Sequence, residues 1–589
     1  MTNNRLEWRA LQPDTERFQH LISQAATTET ECFANVQSRL FNGLSLLLQT
    51  PAKVPLMLVK SAESAEYQAL LQNVLSSLVE SEEEEDDANL LYGGHYLVEP
   101  QKIVWRPAES PLDNFASTGG IHHADWIEAE QLFGCVRLHN STLTLTPGLV
   151  HRANGGVLIL SLRVLLAQPL LWLRLKQIMV NRRFDWYSQD ETRPLPLDVP
   201  SMPMQLRLVL TGDRDALADF QDMEPELVAL SLYSEFEENI QLVDEEEFTH
   251  WIQWVLSVAQ SLGYPAPSAD FWPVLIREAA RYTGDQETLP LDPTWLARQL
   301  QDAALYSENE TVSGDNLRDA LTTREWRESF LSERVRDDIL LDQILIETEG
   351  ETIGQINALS VIDFPGHPRP FGEPSRISCV VHVGDGEFTD VERKAELGGN
   401  IHAKGMMIMQ AWLIAELELD QQLPFSASMV FEQSYSEVDG DSASLAELCV
   451  LISALALQPI NQQIAVTGSV DQFGRVQPVG GLNEKIEGFF NICNQRTLNG
   501  HQGVILPAAN VRHLSLQQEV VDAVREGKFH LWAVSSVDEA LPLLTGVEWD
   551  KENDPCLLRS IQDRIAQFNQ QDARQLPWPL RWLNWFNQR

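Results

Sequence analysis

Cysteine is scarce in this chain of 589 residues. The six present, Cys32, Cys135, Cys379, Cys449, Cys493 and Cys556, are scattered and form no Cys-x-x-Cys pair. That pattern argues against a zinc site or a disulfide framework and suits reduced thiols in a cytoplasmic protein. Long apolar runs are missing too. The most apolar stretch, 157–175, is broken by Arg163, Gln168, Pro169 and Arg174, whereas a spanning helix needs about 20 mostly uncharged residues. The start, Met1-Thr2-Asn3-Asn4-Arg5-Leu6-Glu7-Trp8, lacks the apolar core of a signal peptide, so neither export nor membrane insertion is expected. Basic residues are outnumbered, 43 against 85 acidic ones, for a formal net charge of −42. Such a surface repels nucleic-acid phosphate and anionic lipid, so neither is an expected partner. No Gly-Lys-Ser or Gly-Lys-Thr occurs anywhere, and no short internal repeat is visible.

With 44% hydrophobic and 22% charged residues the composition is that of a globular protein. The length suggests about three or four domains. Val54-Pro55-Leu56-Met57-Leu58-Val59 reads as a buried strand and 64–79 as the helix after it. Further strands are expected at 156–160 and 205–210. Strands alternating with helices point to an α/β, doubly wound parallel sheet. The acidic run 81–88 reads as a solvated loop, and His122-His123 as a surface loop without metal-ligand partners. These observations divide the chain into an α/β region with N-terminal helices over 1–246, a helical subdomain over 247–330, a linker over 331–350, a third region over 351–548 and a Trp-rich tail over 549–589.

Chemistry concentrates in the third region. Asp439-Gly440-Asp441 is a turn signal, and Ser442 leads into the apolar run 443–457, which reads as a buried helix. A serine there sits where helix N–H groups favour developing negative charge, as an oxyanion requires; it equally serves as a plain helix cap. Lys485 follows Gly480-Gly481-Leu482 amid Val479, Ile486, Phe489 and Phe490. A lysine desolvated in that setting has a lowered pKa and can accept a proton from serine, although one snorkelling lysine on an amphipathic helix gives the same pattern. Together the two supply a Ser-Lys nucleophilic pair.

These segments match a family in concert. Phe431-Glu432-Gln433-Ser434-Tyr435 and the run Asp439-Gly440-Asp441-Ser442-Ala443-Ser444 resemble the nucleophile segment of Lon proteases, most closely the membrane-anchored branch. Thr467-Gly468-Ser469-Val470, Gly480-Gly481-Leu482-Asn483-Glu484-Lys485 and Glu396-Leu397-Gly398-Gly399-Asn400-Ile401-His402 resemble further segments of that family. The resemblance implies a Lon-type α+β proteolytic domain over 351–548, with Ser442 as nucleophile, Lys485 as general base and Thr467 orienting the lysine. It implies unfolded or flexible polypeptides as substrates, no cofactor, and a homo-oligomer of the hexameric ring type. The first half resembles an AAA+ module with its ATP chemistry lost. Lys60-Ser61-Ala62-Glu63-Ser64-Ala65-Glu66 has no phosphate-wrapping glycine, and Ser161-Leu162 stand where the family carries the Asp-Glu that holds magnesium and polarises water. The resulting expectation is a degenerate AAA+ doubly wound sheet with helical lid, then an ATP-independent peptidase. The alternative is a catalytically silent binding or assembly factor on the same scaffold.

Overall fold

The computed structural model describes residues 4–17, 19–22, 29–49, 54–83, 92–99, 101–139, 142–188, 192–308, 311–384, 386–418, 425–434, 438–550 and 555–575. The chain forms two compact units, 20–267 with 290–304, and 1–19 with 268–289 and 305–589.

The core of the first unit is a five-stranded sheet of β1 (Leu56–Lys60), β2 (Ile121–Ala124), β3 (Val157–Ser161), β4 (Arg207–Gly212) and β5 (Leu232–Glu235). Its spatial order is β5-β1-β4-β3-β2, and every neighbouring pair is parallel. Central strands of such a sheet are buried on both faces, so β1 and β3 read as unbroken apolar runs rather than alternating ones. Helix α1 (Ala65–Glu83) follows β1. The acidic run expected as a loop therefore begins inside this helix; residues 84–88 lie outside the described residues. The surface loop expected at His122-His123 is instead strand β2, paired to β3 at the sheet edge. His123 Nδ1 lies 2.6 Å from Gln72 Oε1 of α1, at a half-buried position on the sheet edge. Helix α2 (Leu162–Ala167) follows β3.

Among the described residues the stretch 247–330 is mostly helical, and it is divided between the units. Helices α3 (Glu245–Ser261) and α5 (Pro293–Ala304) belong to the first, and α4 (Phe271–Thr283) and α6 (Gly314–Glu328) to the second. In the first unit Trp251 and Trp254 of α3 are buried, and their indole N–H groups donate to the carbonyls of Pro290 and Leu291 at 2.9 and 3.0 Å.

The second unit is built on seven strands: β6 (Gln355–Ile362), β7 (Phe371–Val383), β8 (Phe388–Asp390), β9 (Phe425–Glu432), β10 (Ile464–Val466), β11 (Gly503–Pro507) and β12 (His530–Val534). Their order is β8-β9-β7-β6-β10-β11-β12. The pairs β6–β7 and β7–β9 are antiparallel and the others parallel. Helix α7 (Phe330–Leu340) occupies part of the stretch expected as a linker, and three helices matter for the site: α8 (Asn400–Leu417), α9 (Ser444–Ala456) and α10 (Leu482–Gln495). Helix α9 is buried from Ser444 to Leu455, which is why its Ala/Leu-rich sequence has no polar face. Part of the stretch expected as an appended tail instead packs on this core. Trp549 is buried beside Trp412, with ring centroids 5.2 Å apart. Leu557, Ile561 and Ile565 of α11 (Leu557–Gln575) join the same cluster. The aromatic segment 577–586 lies outside the described residues. No described helix is long and apolar enough to cross a membrane.

Candidate active site

The turn between β9 and α9 is pinned on both sides. Val438 N–H donates to the Leu397 carbonyl at 2.8 Å, and Gly399 N–H donates to the Val438 carbonyl at 2.9 Å. Asp439 Oδ1 then accepts from the N–H groups of Ile401, His402 and Gly440 at 3.2, 3.4 and 2.9 Å, so the turn caps the first turn of α8. Gly440 has φ 107°, a backbone state that side-chain-bearing residues rarely adopt. Asp441 closes the far side: its carbonyl accepts from Ser444 N–H at 3.0 Å and its Oδ2 from Ser469 Oγ at 3.0 Å.

Ser442 stands at the apex and is half-buried. Helix α9 starts two residues later with Ala443 at its N-cap and no side-chain capping bond. The serine is therefore not spent as a cap. Its carbonyl accepts from Gly468 N–H at 2.9 Å and from Thr467 Oγ1 at 3.5 Å. Among the described residues, its hydroxyl and the N–H groups of Ser442 and Ala443 have no hydrogen-bond partner.

Lys485 approaches from α10, which begins after Gly481 in the left-handed region at φ 63°. The helix start lies hard against β7, where a Cβ on Gly372 would sit 1.9 Å from the Glu484 carbonyl oxygen and 2.7 Å from the Lys485 nitrogen. Only glycine permits that approach, and the approach fixes where the lysine emerges. Lys485 is 3% exposed, on a helix whose Leu482, Ile486, Phe489 and Phe490 are also buried. Burial pulls its amine down to about 8, against Asp441 and Glu484, whose charges pull the other way. Nζ donates to Thr467 Oγ1 at 3.3 Å, and Thr467 is wholly buried. Ser442 and Lys485 share no direct hydrogen bond; Thr467 connects them, accepting from the amine and donating to the serine carbonyl.

Two clusters around this site join residues that lie far apart in the sequence. Behind the turn, His402 Nε2 lies 3.1 Å from Asp390 Oδ2 and Nδ1 lies 3.5 Å from Glu447 Oε1, while Glu392 Oε1 accepts from Phe431 N–H at 2.9 Å. Burial pushes Glu447 up to about 7, opposed by the His402 charge. The cluster joins α8, which the turn caps, to α9, which the turn starts. Its one visible trace in the sequence is Glu447, a lone carboxylate in an apolar run. The second cluster centres on Arg281 of α4, whose guanidinium meets Glu487 and Glu484 of α10.

In the first unit, the end of β1 and the start of α1 are joined by only Ser61, Ala62, Glu63 and Ser64. Lys60 Nζ is ion-paired with Glu238. The Glu63 carboxylate is 3.4 Å from Arg163, and Ser161 Oγ accepts from Arg163 N–H at 3.2 Å, capping α2. The groups where a triphosphate and its magnesium would sit are thus a lysine neutralised by a glutamate, a second glutamate and a capping serine. These residues do not fit that ligand.

Comparison with known proteins places both halves. A family model described as a LonB-like AAA domain matches residues 125–232, and one described as the Lon protease (S16) C-terminal proteolytic domain matches 435–545. A Lon protease homolog of Escherichia coli K12 is 61% identical over 589 residues, covering all of both chains. One from Haemophilus influenzae is 43% identical over 580 residues, 95% of this chain and 93% of that one. An archaeal Lon protease of Pyrococcus abyssi is 27% identical over 447 residues, 72% of this chain and 41% of the archaeal one.

Proposed function

Because the chain belongs to the Lon protease family, we propose that it is a serine endopeptidase with Ser442 as nucleophile and Lys485 as general base, and that it cuts without ATP. The observation that carries this reading is the buried amine of Lys485, lowered to about 8 and hydrogen-bonded to Thr467 at 3.3 Å. At pH 7.5 about a quarter of such amines are neutral, against roughly one in a thousand for an ordinary lysine. The neutral amine takes the Ser442 proton as the oxygen attacks the scissile carbonyl. The unpartnered N–H groups of Ser442 and Ala443 receive the oxyanion, and the ammonium returns its proton to the leaving amine. Water activated by the same amine then releases the acyl group. Thr467 orients the lysine.

The altered nucleotide region supports a chain without ATP-driven unfolding, so unfolded or flexible polypeptides are its substrates and folded ones resist it. Family membership further leads us to read the chain as one subunit of a homo-oligomeric ring. The absence of a direct Ser442–Lys485 hydrogen bond favours a second reading, a silent scaffold that binds polypeptide without cutting it. Casein digestion separates the two. We expect equal rates with and without ATP and complete loss in Ser442→Ala. Cleavage that survives Ser442→Ala overturns the nucleophile assignment, stimulation by ATP overturns the motor-free reading, and a wild-type chain that cuts nothing leaves the scaffold reading standing.

A further inference from the structure

Arg281 is the least expected neighbour of the site. It lies on α4, about two hundred residues before the lysine, and forms a bidentate pair with Glu487, Nη1 to Oε1 and Nη2 to Oε2 both at 2.7 Å. Nη2 also donates to Glu484 Oε1 at 3.4 Å, and Nη1 to the Ser515 carbonyl at 3.4 Å. The side chains are largely withdrawn from water, 19% exposed for Arg281, 22% for Glu484 and 8% for Glu487. Burial works against the guanidinium charge, but Glu487 and Glu484 outweigh it and hold the group charged. The neighbourhood is otherwise tied down by Ser515, whose N–H donates to Asn483 Oδ1 and whose Oγ donates to the Arg277 carbonyl, both at 2.8 Å.

We propose that Arg281 is a positioning residue for the general base: it clamps the first turns of α10 on either side of Lys485 and takes up the negative charge of Glu484, the residue before the lysine. This rests on the reading of Lys485 as the base. Glu484 is the residue immediately before the lysine, and its charge favours the ammonium, the form that cannot act as a base. Asp441 is the other anion acting on the amine. It is held by Ser469 at 3.0 Å. The charged groups facing Arg281 are Glu278 on its own helix and Glu484 and Glu487 on α10, with Glu325 of α6, Arg336, Arg369 and Glu373 lining the adjoining cavity of about 110 Å³; burial pushes Glu373 up to about 7. Arg281 is thus the cation that neutralises the anion nearest in sequence to the base, and it does so from a helix outside the proteolytic sheet. A purely mechanical clamp would hold α10 in place without altering when the lysine loses its proton. A neutralising one does both, and the two roles separate by pH.

The test compares wild type with Arg281→Gln, Arg281→Lys and Glu484→Gln. Two curves are measured for each: kcat/KM for a fluorogenic peptide against pH, and the pH midpoint of Lys485 acetylation read by mass spectrometry, which needs no peptidase activity. Leaving Glu484 unopposed stabilises the ammonium. Arg281→Gln should therefore move both midpoints up by about one pH unit, the order expected of one unit charge within ~10 Å at an effective dielectric near 20. At pH 7.5 that is a fall of about eightfold in kcat/KM, recovered at high pH. Glu484→Gln removes the anion and should move both midpoints down, while Arg281→Lys keeps the cation and should stay near wild type. Arg281→Gln midpoints that stay put or fall, or Glu484→Gln midpoints that stay put or rise, overturn the proposal. If Arg281→Gln does not fold, Glu484→Gln alone decides. Acetylation midpoints that move as stated in a chain that cuts nothing uphold the Arg281 assignment and overturn the dyad reading instead.

Discussion

Thr467→Val probes the amine–hydroxyl contact with almost no change of volume. If Lys485 is the base, as proposed, its amine lowered to about 8 makes kcat/KM rise roughly tenfold from pH 7, where about one-tenth of the amine is neutral, to pH 9, where about nine-tenths is. An ordinary lysine would give a hundredfold climb over the same interval and no plateau. The valine removes the oxygen that accepts from Nζ at 3.3 Å. The charged amine loses more than the neutral one, because hydrogen bonds to charged groups contribute about 1.5–3 kcal/mol against roughly 1 for neutral pairs. The surplus lost by the ammonium is of order 1 kcal/mol, so the rising limb should move down by somewhat under one pH unit. The plateau should fall as well, by about tenfold, because the variant no longer ties the amine to the residue whose hydroxyl reaches the Ser442 carbonyl at 3.5 Å.

The assay is initial-rate cleavage of a fluorogenic peptide from pH 6 to 10 at constant ionic strength, on wild type and variant side by side. Two opposed effects on rate make it decisive: the lowered limb leaves more of the amine neutral near pH 7, while the ceiling at high pH falls. A wild-type profile that keeps climbing through pH 9.5 refutes the buried-amine account, because the base would then titrate as a solvated lysine. A limb that moves up in Thr467→Val refutes the assignment of Thr467 as the acceptor of the amine proton.

Two further outcomes follow from the same geometry. Lys485→Met should abolish cleavage yet stabilise the chain at pH 7. The folded amine is lowered to about 8 from 10.5, so its charged form costs about 3 kcal/mol below pH 8, a cost that disappears as pH rises towards 10.5; denaturant unfolding of both chains at pH 7 and pH 10 should show the gap shrinking, and no gap at pH 7 sinks the claim. Gly372→Ala places a methyl 1.9 Å from the Glu484 carbonyl oxygen, which forces the start of α10 off β7 and should cut the rate more than tenfold with circular dichroism unchanged. A rate equal to wild type would mean that this approach does not position the base.

What could be read from the sequence is local in origin. The strands expected at 54–59, 156–160 and 205–210 are found at Leu56–Lys60, Val157–Ser161 and Arg207–Gly212, because a strand buried on both faces leaves an apolar run that needs no partner to be seen. The helix expected over 443–457 is Ser444–Ala456 for the same reason. Ser442, Thr467 and Lys485 each announce themselves through short glycine-bearing turns. Their meeting depends on features with no local mark: Asp439 reaching back to Ile401 and His402, His402 shared by Asp390 and Glu447, and Arg281 pairing with a glutamate 206 residues away. His122-His123 misled because two polar residues at a sheet edge look like a loop when the paired strand is unknown.

The same division explains why a lysine this costly can be kept. It lies on a helix whose apolar residues Leu482, Ile486, Phe489 and Phe490 are themselves buried, and that is the part a sequence displays. The carboxylates of Asp441 and Glu484 work against burial by favouring the charged amine, and each has a partner: Asp441 accepts from the Ser469 hydroxyl, and the charge of Glu484 is met by that of Arg281. A base kept neutral, as proposed for Lys485, therefore depends on a distant cation, Arg281, as well as on burial. Substitutions at Arg281 or Ser469 should consequently register in the pH profile before they register in the fold, and that ordering separates a built catalytic environment from a lysine that is merely buried.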